Sequence, residues 1–216
     1  MTHDGEIIAR VGDLTNAAPE SDLSITPVDN SGGGAAVEGF VTQDLSVDFD
    51  GRWTGCQLLV ELDTGSIYQD AAGGVTPPTD FIVGLVPSAA FDTFVAAGGA
   101  TSGTSETFSL GGGAVDLGAS PTAQFDAAGI NQAWNPPGGA AILDRTDFVT
   151  ARVTLSADAT GTWKFLVSSG GEMQTYEGPV SDGQIRPEPL EAPSDFSMAP
   201  VDNSGGGAAV EGFVTQ

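Results

Sequence analysis

Asp48-Phe49-Asp50-Gly51 sets two carboxylates on one side of a strand end, just before a turn glycine, and Asp44 shares the face of Asp48. Calcium takes about six to eight oxygen ligands, often from loops of this kind. Asp44, Asp48 and Asp50 are therefore the candidate ligands of a structural Ca²⁺. The complete EF-hand spacing is missing, and the competing reading is a solvated polar strand face. No other cofactor is expected.

Nucleophilic chemistry has little to work with. Cys56 is the only cysteine, so no intramolecular disulfide can form. Its setting, Thr54-Gly55-Cys56-Gln57-Leu58-Leu59, reads as a strand with a small buried hydrophobe. The only histidine is His3, so a histidine base is all but excluded. The chain has no HExxH, no Cys/His cluster and no phosphate-cradling GxxxxGK[ST]. The glycine runs at 32–34, 111–113 and 205–207 lack the lysine that such a loop needs, and read as turns. A hydrolase would need two carboxylates facing across a cleft. Glu61 with Asp63, or Glu172 with Glu177, can be named, but no spacing supports them. The chain is expected not to be an enzyme. Trp53, Trp134 and Trp163 raise sugar stacking, with Trp134 beside Asn135-Pro136-Pro137-Gly138 the one most open to exposure. Hence the alternative reading is a carbohydrate-binding or calcium-dependent adhesive module.

Charge narrows the partners. The 216 residues hold 29 acidic and 6 basic side chains, a formal net charge of −23. Phosphate backbones need clustered Lys and Arg, so nucleic acid is excluded as a partner. Anionic lipid surfaces are disfavoured for the same reason. Nothing approaches ~20 consecutive apolar residues, so no transmembrane segment is expected. The first residues, MTHDGE, lack the basic start and apolar run of a secretory signal. If the protein is exported, that signal is expected outside this chain.

The elements that would position these residues read as short strands. Val37, Val41, Leu45, Val47 and Phe49 fall on one face of a period-two run, and Glu38, Thr42, Asp44, Ser46 and Asp48 on the other, with a bend near Gly39. Strands follow at 58–62, 66–69, 90–96, 107–110, 114–117 and 122–126. Residues 80–86 read as a strand or a brief helical turn, and 126–134 as holding one helical turn. The strongest hairpin joins 148–155 to 160–167, where Trp163, Phe165 and Val167 share a face. Residues 173–180 add an edge strand. A run of this length buries roughly 70% of its unfolded surface without metal or disulfide. The expected fold is all-β, a jelly-roll-like β-sandwich with long Gly/Pro loops and a C-terminal extended strand. The expected units are an N-terminal extension at 1–20, the sandwich domain at 21–187, a Pro-rich linker at 188–199 and a C-terminal strand at 200–216.

That last segment repeats an earlier one. Residues 27–43 read PVDNSGGGAAVEGFVTQ, and residues 200–216 read the same 17 letters at an offset of 173. Upstream the match continues with drift: Ser21, Asp22 and Ser24 recur as Ser194, Asp195 and Ser197, while Leu23, Ile25 and Thr26 become Phe196, Met198 and Ala199. Drift at the edge reads as a diverged duplication, with a repeat unit of about 173 residues as the simplest origin and a C-terminal extension that mimics the domain's own first strand as the alternative. Val210, Gly212, Phe213 and Val214 are therefore the candidate self-assembly strand, equivalent to Val37, Gly39, Phe40 and Val41 in the first copy. Such a segment can offer the same backbone donors and apolar side chains to an equivalent groove. The partners this implies are copies of the chain itself, or an adjacent tandem repeat. The expected function is a structural, self-assembling surface or filament protein.

The stretches GSIYQ (65–69), FDTFV (91–95) and LSADATGTW (155–163), within a similarity running over most of 37–167, resemble a group of uncharacterised exported bacterial surface proteins that bear sorting signals. The resemblance implies an extracellular or cell-surface β-sandwich domain and no reaction. The chain departs from that group in showing neither a C-terminal sorting helix nor a dockerin-type calcium repeat, which puts cell anchoring in doubt.

Overall fold

The computed structural model describes residues 23–111, 123–138 and 140–187. Its frame is all-β and antiparallel. Ten strands join one hydrogen-bonded sheet, and the only α-helix among the described residues is the single-turn α1, Asp80–Leu85. No helix among them is long and apolar enough to cross a membrane.

The architecture is organised by one strand. β2, Phe40–Thr64, runs 25 residues and changes partners along its length. Its first half lies between β1, Leu23–Val28, and β7, Ile142–Ser156. Its second half lies between β6, Gly129–Asn135, and β8, Thr160–Ser169. Register shifts against β7 fall between Leu45 and Ser46, Val47 and Phe49, and Phe49 and Arg52. Bulges of this kind bend a strand. Gly51 sits at the bend with φ 78°, and a Cβ there would lie 2.9 Å from Gly170 Cα.

The expected hairpin of 148–155 with 160–167 is replaced by this arrangement. β7 and β8 do not pair with each other; each pairs with a different half of β2. The true hairpins are tighter. β8 turns into β9, Glu172–Ser181, through Gly170-Gly171, and β9 turns into β10, Gln184–Ile185, through Asp182-Gly183. All four turn residues have positive φ, which matches the twist of paired strands. The helical turn expected within 126–134 is also absent. Asp126 Oδ1 accepts from the N–H groups of Ala128 and Gly129 at 2.8 and 3.2 Å, closing a two-residue turn from β5, Gln124–Asp126, into β6. Two short strands, β3, Phe94–Val95, and β4, Ser109–Gly111, edge β7 and β6.

One core spans the fold, running in sequence from Leu23 to Ile185. Leu45, Val47, Phe49, Trp163, Phe165 and Val167 all enter it, as the period of two requires. Along Thr42–Ser46 and Thr150–Thr154 the opposite face of β2 and β7 is also largely buried. The 3-10 turn Pro87–Phe91 and β3 cover it, and it holds a polar network. Thr154 Oγ1 donates to Phe91 O at 2.7 Å and lies 3.0 Å from Thr42 Oγ1. Arg152 donates to Ala90 O and stands 5.5 Å over the Phe94 ring. Polar groups removed from water in this way must be partnered, and these are.

Candidate self-association site

The duplicated sequence builds a strand, a turn and the start of β2. β1 pairs antiparallel with β2 from Leu23 opposite Val47 to Val28 opposite Thr42. A 3-10 turn, Ser31–Ala36, then carries the chain round. Asp29 Oδ1 accepts from Ser31 N at 3.0 Å, and that N–H holds the Asp29 carboxyl below its usual range. Asn30 Nδ2 ties the two ends together by donating to Phe40 O at 2.9 Å and Thr42 Oγ1 at 3.2 Å. Gly33 is required by space, since a Cβ there would sit 2.5 Å from Val37 Cγ2 and 2.7 Å from Phe91 Cδ2. Gly34 and Gly39 are required by backbone, with φ of 63° and 82°. Val37 is buried against this turn. An open depression of about 230 Å³ beside it, lined by Asn30, Ser31, Gly34, Val37 and Glu38, is smaller than a typical ligand pocket.

Every one of these determinants recurs in the second copy, as Asp202, Asn203, Gly206, Gly207, Val210, Gly212, Phe213 and Thr215. The second copy itself, including Val210, Gly212, Phe213 and Val214, lies outside the described residues. The first copy corrects the equivalence drawn from sequence. Val37 and Gly39 end the turn, and Phe40 and Val41 open β2, opposite Ser156 and Leu155 of β7. They belong to a central strand and not to an opening one. The opening strand is β1, which corresponds to the drifted half of the repeat at 194–201.

β1 is held thinly. Leu23 is buried at 8% exposure, Ile25 and Val28 are half-buried, and Ser24, Thr26 and Pro27 are exposed. β2 is its one strand partner among the described residues. One buried leucine is worth about 1.5–3 kcal/mol, and each ladder hydrogen bond about 1 kcal/mol net. β7, by contrast, buries Phe148 and the whole run from Thr150 to Leu155.

The other candidates do not converge on a ligand. Both Asp44 oxygens are taken by Arg152, from Nε and Nη2, each at 2.7 Å. Asp48 Oδ1 accepts from Asp147 N at 2.7 Å, and Asp50 is exposed within the register shift between Phe49 and Arg52. Among the described residues no three Asp, Glu, His or Cys side chains are grouped to hold a metal. The three tryptophans offer no sugar platform. Trp53, Trp134 and Trp163 are 0%, 1% and 1% exposed, and Trp134 Nε1 donates to Ala96 O at 2.8 Å. Cys56 is fully buried with Trp53 Nε1 3.3 Å from its sulfur, and burial pushes its thiol far above the ordinary range.

One cluster went unread in the sequence. Asp92, fully buried, accepts from Asp70 N at 2.8 Å and Gly74 N at 2.7 Å. Asp70 in turn accepts from Ala72 N, Ser88 Oγ and Tyr68 Oη at 2.8, 2.6 and 2.8 Å. Gly73 allows the approach, because a Cβ there would fall 1.8 Å from Asp92 Oδ2. These contacts clamp the 70–74 loop to the segment that covers the polar face. The Asp-X-X-Gly-Gly run at 70–74 was its only signal.

No protein-family model, curated protein or solved structure matches this chain, so its architecture and its candidate site stand on its own geometry.

Proposed function

We propose that this is a structural, self-associating protein of the cell surface or extracellular space, whose subunits or tandem repeats are joined through the C-terminal copy of its opening segment. One observation carries the reading. The 17 repeated residues include every side chain and glycine that shapes the β1–β2 turn, so the copy has the chemical means to form the same contacts. Main-chain pairing of an added strand supplies affinity, and alternate side chains supply specificity. A head-to-tail contact of this kind does not close, and gives a filament or a string of beads. The acidic balance, 29 against 6, supports a soluble life in a salt-containing medium outside the cell. The reading assigns the chain no reaction, no required cofactor and no nucleic-acid partner.

Deleting residues 194–216 tests it. The shortened chain is expected to melt within about 2 °C of the full one and to run as a monomer in light scattering, while the full chain forms polymers visible by electron microscopy. Polymers of the shortened chain would overturn the reading.

A further inference from the structure

We infer that β1 is an exchangeable strand, and that residues 194–201 of a second copy of this chain replace residues 21–28 on its β2. The inference rests on the self-association reading and names the acceptor surface for it.

The drifted half of the repeat carries the argument. Leu23 and Ile25 point into the core, and their counterparts are Phe196 and Met198, both large and apolar. Thr26 is exposed, and its counterpart is Ala199. The two core-facing changes therefore keep the apolar character of their face, as a strand used in the same register demands, while the exposed position only becomes smaller. In that register Phe196 stands opposite Val47, Met198 opposite Leu45 and Val201 opposite Thr42.

Supply and demand of strands decide the partner. Each chain carries two donors, 21–28 and 194–201, and one slot along residues 42–47 of β2. The chain's own β1 fills its slot in this structure. Residues 194–201 of another chain can therefore take that slot only in place of β1. β1 is held by little, since it buries only Leu23 and has one strand partner among the described residues. Exchange of identical elements between copies is a low-cost route to assembly.

Full-length chains test the exchange. Ser24 pairs with Ser46, so exchange brings Ser197 of one copy to Ser46 of the next. Chains carrying Ser46→Cys are mixed with chains carrying Ser197→Cys and oxidised. The expected product is a mixed disulfide dimer, formed several-fold above either variant alone. Adding Phe196→Asp to the donor is expected to return it to background. Loosening the acceptor's β1 by Ile25→Asp is expected to raise the yield several-fold, with Leu23→Ala as the milder variant should Ile25→Asp not fold. A yield that falls on loosening β1 means that the copy adds beside β1, which overturns exchange. Polymers without the 46–197 disulfide also overturn it, while leaving self-association standing. A disulfide formed only within single chains of the doubly substituted protein assigns the slot to the chain's own tail, and defeats the second-copy occupant. Neither polymers nor disulfide removes the inference and the self-association reading together.

Discussion

At the scale of residues, the informative side chains are the buried carboxylates. Burial pushes the Asp92 carboxyl up to about 6, and the Asp70 and Gly74 N–H groups only partly offset it. Its folded value lies above its ordinary 3.8, so the folded chain binds that proton more tightly than the unfolded chain. The site therefore contributes most stability below about pH 4, and the contribution is lost as pH rises through about 6. Carbon-detected NMR of Asp92 is expected to show a midpoint near 6, and the wild-type advantage over Asp92→Asn is expected to shrink across the same interval. A midpoint near 4 would contradict the buried assignment. Arg152 is a second case. It holds both Asp44 oxygens with side-chain exposures of 10% and 16%. Arg152→Met strands that carboxylate and is expected to cost about 3 kcal/mol, or roughly 10 °C in Tm for a domain of this size. Adding Asp44→Leu is expected to restore much of the loss in the same melting experiment.

At the scale of elements, the turn between β1 and β2 is the piece whose chemistry can be tested twice. Gly33→Ala forces a methyl into Phe91 and Val37 and is expected to destabilise the fold by about 1–3 kcal/mol in denaturant titration. Gly206→Ala makes the same change in the second copy. It is expected to leave the melting temperature within 1–2 °C while weakening association several-fold in light scattering. Equal destabilisation by both would mean that the two copies play the same part in the folded subunit. Elsewhere among the elements, local signals held where pairing was local. The Gly170-Gly171 and Asp182-Gly183 turns use residues that accept positive φ, and β9 pairs with β8 along its length.

At the scale of the whole molecule, a net charge of −23 opposes any contact between copies. The Debye length is about 30 Å at 0.01 M salt and about 3 Å at 1 M. Self-association is therefore expected to rise steeply with sodium chloride, checked by light scattering between those concentrations. Calcium chloride matched for ionic strength separates screening from a bound ion. An extra increment over sodium chloride at equal ionic strength would point to a bound calcium ion.

The amino-acid sequence alone determined the strand character, the core face and the duplication. Period-two alternation from Leu45 to Phe49 and from Trp163 to Val167 is a local property, because side chains alternate whatever the strand pairs with. The repeat is legible as letters. Only the tertiary structure decided who pairs with whom. β7 and β8 read as a hairpin because they are neighbours in the chain, yet a 25-residue β2 offers each a separate half, and pairing energy is collected across long separations that no local pattern records. The same holds for the candidate site. Val37 and Val41 share parity, so they look like one strand, but Gly39 at φ 82° breaks it, and the strand before the turn is β1. Asp44, Asp48 and Asp50 look like a ligand set until the bulges and Arg152 separate them. Trp134 looks exposed beside its prolines until the β6–β2 pairing turns it into the core. Gly39 apart, a non-local contact outweighed a local preference in each case, because burial and pairing depend on which segments meet.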